Sequence, residues 1–241
     1  MQFSALLPDA PNVAALDQLV DDPEQAQILT YMGDRGIALK VMRSGLWFSY
    51  MFNRYTIPTY ASHVFRALTR LSAVDDELGT ILAGVMGAVK GELFNNNIYG
   101  GKECHSHYLD MQRAYLAAGG DPEVVSGIPT QRYSHTRSCI YADHLLTLLE
   151  DPLSTFILIP AIEKNTPHFF ETVSKHLCRE PQFDAYRQFV DRHIELDRGD
   201  HSCVTMDWLK YYLEHTATTI EQETTAIAAV INIIELGRGR R

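Results

Sequence analysis

Cysteine is sparse and scattered. Cys104, Cys139, Cys178 and Cys203 are spread over 241 residues with no CxxC pair. Neither a disulfide framework nor a zinc ribbon is therefore expected, and a reduced, cytoplasmic setting fits. Long apolar runs are missing as well: the longest uncharged stretch, Leu78 to Val89, covers about 12 residues, short of the roughly 20 that cross a bilayer. The opening residues MQFSALLPDAPN carry Asp9 and no basic n-region, so no secretory signal is expected. Positive charge is the minority, with 21 Lys and Arg against 30 Asp and Glu for a formal charge of −9. Without a basic stripe to neutralise phosphates, no nucleic-acid partner is expected, and Arg238, Arg240 and Arg241 read as a solubilising end. Gly-rich phosphate cradles, a GxSxG elbow, internal repeats and low-complexity tracts are also absent.

What remains is ordinary globular composition, 46% hydrophobic and 21% charged. Period-2 alternation is scarce and apolar residues recur at steps of three and four, which predicts an all-α protein of seven to eight helices in one domain, 1–241. Asp22-Pro23-Glu24 reads as a helix start, with the pattern running to Phe52 and a turn near Thr56-Ile57-Pro58. Asp75 opens a helix whose Gly79, Ala83, Gly84, Gly87 and Ala88 predict close packing. A short helix follows from about Cys104 to Ala118, stopped by Gly119-Gly120, and Asp121-Pro122-Glu123 restarts the chain. Longer helices are expected over 134–150, 152–178, 183–215 and 216–236, with kinks or a break at Pro160 and Pro167.

The stretch FVDRHIELDRGDHSCVTMDWL holds the most chemistry. His193 and Asp197 are four apart and so share a helix face, about 6 Å apart along the axis. His201 is four further on and drifts about 80° around the helix from His193. A π-bulge near Gly199 would bring it back, and such bulges concentrate at functional sites; in an unbulged helix Asp200 takes its place. Histidines and acids at this spacing also make solvated, salt-bridged faces. The apolar flanks Phe189, Val190, Ile194 and Leu196, then Val204, Trp208 and Leu209, favour a helix inside the core, where ionisable groups need partners or a metal. Imidazole with carboxylate suits iron or manganese. No histidine follows a glutamate at the Glu-x-x-His spacing, which excludes the ferritin plan.

The segment HIELDRGDHS, with its HxxxDxxxH spacing, resembles the last metal-binding helix of the haem-oxygenase-like diiron oxidases and oxygenases. It is similar in particular to a bacterial branch known as a domain of unknown function. GELFNNNIYGGKECHSHYLDMQRAYLAAGGD resembles that branch's acid, glycine-rich loop and Ser-His-aromatic helix start, and IPAIEKNTPHFF its Glu four residues before a Pro. Together the three motifs cover roughly 85–236. The resemblance implies a haem-oxygenase-like bundle and a metal set of Glu92, His107, Glu163, His193, Asp197 and His201. His105 competes with His107, and Glu103 with Glu92.

The resemblance further implies two Fe(II) ions, with Mn as a substitute, O2 as co-substrate, and a small amine- or carboxylate-bearing metabolite. That substrate would be oxidised by N-oxygenation, desaturation or oxidative C–C cleavage. A homodimer is implied as well, since members of the fold often pair. The competing readings are a cofactor-free, thiaminase-type hydrolase using Cys139 or Cys203, and a metal-free binding module. His63, His135, His144, His168, His176 and His215 read as packed or surface residues, with His144 the first choice among them for a supporting role near the site. Trp47, Phe48, Tyr50 and Phe52 read as core; Lys210, Tyr211 and Tyr212 are candidates for substrate contact.

Overall fold

Capping acids set the helix starts. The Asp34 carboxylate accepts from Ile37 N–H at 2.9 Å, Asp75 from Leu78 N–H at 2.8 Å and Asp151 from Ser154 N–H at 2.8 Å, each satisfying an orphan donor of a first turn. Thr219 and Gln222 form a reciprocal capping box. In the computed structural model, which describes residues 1–22, 27–71, 75–94, 106–128, 136–196 and 202–238, these caps open a wholly helical chain. The α-helices are α1 (Phe3–Leu6), α2 (Val13–Asp21), α3 (Arg35–Met51), α4 (Ile57–Leu68), α5 (Asp76–Phe94), α6 (His107–Ala117), α7 (Pro122–Gly127), α8 (Thr136–Leu148), α9 (Pro152–His176), α10 (Asp184–Leu196), α11 (Ser202–His215) and α12 (Ile220–Gly237). No strand occurs among the described residues.

The expected all-α class holds, with more segments than the seven or eight expected, because short pieces such as α1 and α7 carry their own caps or turns. The turn expected at 56–58 is instead a π-helical stretch, Phe52–Thr56, that joins α3 to α4 without leaving the helix. Ile57 N–H bonds to Phe52 O across five residues, and Pro58, which has no N–H to give, enters in the first turn of α4. Of the kinks or break expected at Pro160 and Pro167, the break does not occur: α9 runs unbroken for 25 residues. A proline inside a helix costs about 3 kcal/mol, and the burial of Leu158, Ile159, Pro160 and Ala161 around it supplies packing that offsets the loss. Most of the helix start expected at 22–24 lies outside the described residues; Asp22 follows the end of α2, and Gln27–Tyr31 is a 3₁₀ turn.

Two apolar clusters hold the helices together. The larger joins residues of α1, α2, α4, α5, α8, α11 and α12 to Leu153, Phe156, Ile157, Leu158, Ile159 and Ala161 of α9. The smaller joins Met42 and Leu46 of α3, Met111 and Ala114 of α6, and Phe189 and Val190 of α10 to Val173 of α9. The long helix α9 therefore threads both, and its middle turns, around Glu163, mark the crossover. Close packing of α5 is real at Gly84, where a Cβ would lie 2.8 Å from Val204 of α11, whereas Gly79 and Gly87 face open space. Among the described residues no single helix is long and apolar enough to cross a membrane.

Candidate metal centre

Four of the six sequence-predicted ligands lie among the described residues, and all four are buried. Glu92, near the end of α5, is 7% exposed; His107, His193 and Glu163 are 6%, 5% and 5% exposed. Isolated ionisable groups are not tolerated at such depth, so each needs a partner. Asp197 and His201 lie outside the described residues, as do the alternatives Asp200, His105 and Glu103 and the π-bulge expected near Gly199.

Glu92, His107 and His193 come together from three helices. The Ser106 side chain caps α6 by accepting from Leu109 N–H at 3.4 Å, which places His107 at the first helical position. Its Nδ1 lies 2.8 Å from Glu92 Oε2 and 3.1 Å from His193 Nε2. His193 is held from behind: its Nδ1 is 2.7 Å from Phe189 O. A carbonyl only accepts, so Nδ1 carries the hydrogen and, in the neutral ring, Nε2 presents a lone pair to His107. With both rings neutral, three Lewis-basic atoms then face one another with at most one hydrogen to share. A divalent cation suits that donor set. As they stand, His107 touches both Glu92 and His193, and among the described residues no group of three or more His, Cys, Asp and Glu is placed to hold a metal ion.

The shell around the two rings is aromatic. Phe189 and Phe170 lie 4.1 and 5.2 Å from the His193 ring, and Tyr186 stacks on Phe189. Such a shell excludes water and strengthens every charge interaction inside it. Asp110, three residues after His107 and 2% exposed, is a buried acid the sequence reading did not single out.

Glu163 is tied elsewhere. Thr205 of α11 donates its hydroxyl hydrogen to Glu163 Oε2 at 2.6 Å. Tyr60 of α4 is buried, and its hydroxyl has no hydrogen-bond partner among the described residues. Burial first, and the Glu163 charge second, push its phenol well above the usual tyrosine range. Thr205 was detectable in principle, since 193, 197, 201 and 205 continue the same four-residue step. Tyr60 leaves no such signal, being a lone tyrosine in an apolar helix.

His144 is exposed and meets Asn232 of α12 at 3.5 Å, so its expected supporting role is not seen. His63 Nε2 bonds to Leu149 O at 2.9 Å, and His215 stacks on Tyr211 at 4.0 Å, both packing roles as expected. Tyr211 is buried, Lys210 pairs with Glu214 at 3.8 Å, and Cys203 is exposed. No family model matches the chain, and no curated protein matches it.

Proposed function

We propose that this chain is an O2-dependent, nonhaem diiron oxidase or oxygenase of haem-oxygenase-like architecture, acting on a small amine- or carboxylate-bearing metabolite. The observation that carries the reading is the buried contact of Glu92, His107 and His193, with the outer nitrogen of His193 bonded to the Phe189 carbonyl. Buried histidines fixed in this way on their far side are the usual form of a metal-ligating imidazole. Glu92, His107 and His193 would hold one iron, and Glu163 with Asp197 and His201 the other. The iron pair, when bound, supplies electrons for the reduction of dioxygen.

The chain's own tasks follow from its packing. Phe189 O sets the tautomer and direction of His193, Thr205 holds the Glu163 carboxylate, and Phe170, Phe189 and Tyr186 keep water from the imidazoles. Three carboxylates against four positive charges would leave a weakly cationic centre, which suits a substrate that brings an electron-rich nitrogen or a carboxylate oxygen.

The test is metal content. Purified full-length protein loaded anaerobically with Fe(II) and desalted should retain close to two irons per chain and consume O2 on exposure to air. Retention below about 0.3 iron per chain, in protein that is folded by circular dichroism, overturns the reading. A thiaminase-type hydrolase predicts instead a metal-independent activity lost on alkylation of cysteine.

A further inference from the structure

We infer that Thr205 is a positioning residue for Glu163, holding this carboxylate in place for the metal it would bind; the inference rests on the diiron reading. The geometry is that of a strong bond. The Thr205 Oγ1 to Glu163 Oε2 distance is 2.6 Å, within the short range of hydroxyl–carboxylate hydrogen bonds. Both residues are buried, Thr205 at 1% and Glu163 at 5% exposure, so water does not compete for the hydrogen.

The donor itself is anchored. Thr205 sits in the first turn of α11, and a β-branched side chain there has few rotamers to choose from. Its neighbour Val204 packs so tightly on Gly84 of α5 that a single added carbon would lie 2.8 Å away. The start of α11 is therefore pinned against the helix that carries Glu92 while it bonds to the helix that carries Glu163. One short turn of helix thus touches both α5, which carries Glu92, and α9, which carries Glu163. A merely structural threonine is not required to spend its hydroxyl on a carboxylate, and valine has the same shape without the hydroxyl.

The experiment is an anaerobic Fe(II) titration of full-length wild type, Thr205→Val and Thr205→Ser against a competing chromophoric chelator, with thermal unfolding of the metal-free proteins alongside. Thr205→Val is expected to weaken one of the two iron equivalents by roughly ten- to a hundredfold, leaving the other unchanged. Thr205→Ser is expected to stay within about threefold of wild type, since it keeps the hydroxyl. Thr205→Val holding both irons at wild-type affinity overturns the assignment. So does a serine variant as weak as the valine one, or a loss in both equivalents that tracks a fall in Tm. Should Thr205→Val fail to fold, Thr205→Ser and Thr205→Ala, which differ by one hydroxyl, carry the same comparison. Folded wild type that holds no Fe(II) overturns the diiron reading and this inference with it, whereas wild type with two irons and an indifferent Thr205→Val overturns only the inference.

Discussion

Glu92 and Glu163 are equally deep carboxylates that meet different chemistry. Glu92 faces the imidazole of His107 and through it a second imidazole. Glu163 receives a neutral hydroxyl from Thr205 and has a neutral phenol, Tyr60, within reach of its charge. In the first corner, built by α5, α6 and α10, imidazoles reach the carboxylate. In the second, built by α9 and α11, the Thr205 hydroxyl reaches the carboxylate. A buried charge is costly in proportion to how poorly it is matched, so the two corners should respond differently to mutation and to metal.

The largest difference is expected at the imidazoles. His107→Ala removes the ring that touches both Glu92 and His193 and leaves a buried carboxylate without it, a change that typically costs roughly 3–5 kcal/mol. Denaturant unfolding of the metal-free protein checks this. Pairing the substitution with Glu92→Gln should recover much of the loss, because the charge that needed the ring is gone. A double variant whose costs simply add would show that the two side chains are not coupled, and the comparison between corners would break.

Of the imidazole corner, only His193 was legible from local spacing. His193 stands out because an ionisable residue recurs every four positions within apolar flanks, a pattern that needs no knowledge of the fold. His107 and Glu92 were reached by resemblance, since no local period links residues on α5 and α6; only the packing of those helices brings them together. The all-α class followed from the step of three and four. Helix continuity across Pro58, Pro160 and Pro167 did not, because a proline's local penalty is visible in sequence while the burial that offsets it is a property of the whole core. The glycines of α5 make the same point. Five small residues predicted close packing, yet only the side of the helix bearing Gly84 meets a neighbour as tightly as expected.

That asymmetry is the next test in size. Gly84→Ala adds a carbon against Val204 and should cost roughly 1–3 kcal/mol by overpacking, displacing the turn of α11 that carries Thr205. Gly87→Ala, with nothing within 4 Å of the added carbon, should stabilise by about 0.5–1 kcal/mol through helix propensity alone. Thermal unfolding separates the two by sign. Equal effects would mean that α5 and α11 are not pinned at Gly84, and Thr205 would then have no fixed base.

Glu163→Gln isolates the second corner. Glutamine keeps an oxygen for the Thr205 hydroxyl, so the metal-free fold should change by no more than about 1 kcal/mol, while the iron equivalent that depends on Glu163 should be lost. A glutamine variant that unfolds as readily as His107→Ala would show that Glu163 is bound as strongly into its surroundings as Glu92 is, and the contrast between an imidazole corner and a hydroxyl corner would be gone.

The smallest expected effect concerns Tyr60. Its hydroxyl is buried without a hydrogen-bond partner among the described residues, so Tyr60→Phe should be neutral or stabilising by up to about 1 kcal/mol at pH 7. The gain should widen in alkali. Burial keeps the phenols of Tyr60, Tyr141 and Tyr186 protonated in the folded chain well beyond the usual range, whereas an unfolded chain ionises near pH 10. The folded state then binds more protons than the unfolded one, so their contribution to stability is intact below about pH 10 and declines as pH rises above it. Removing one such phenol removes its share of the decline, and the difference in Tm between variant and wild type should grow from pH 9 to pH 11. A Tyr60→Phe protein that is clearly less stable at pH 7 would reveal a bond to the phenol. The second corner would then be held by two engaged donors, and Thr205 would no longer be the donor that sets Glu163.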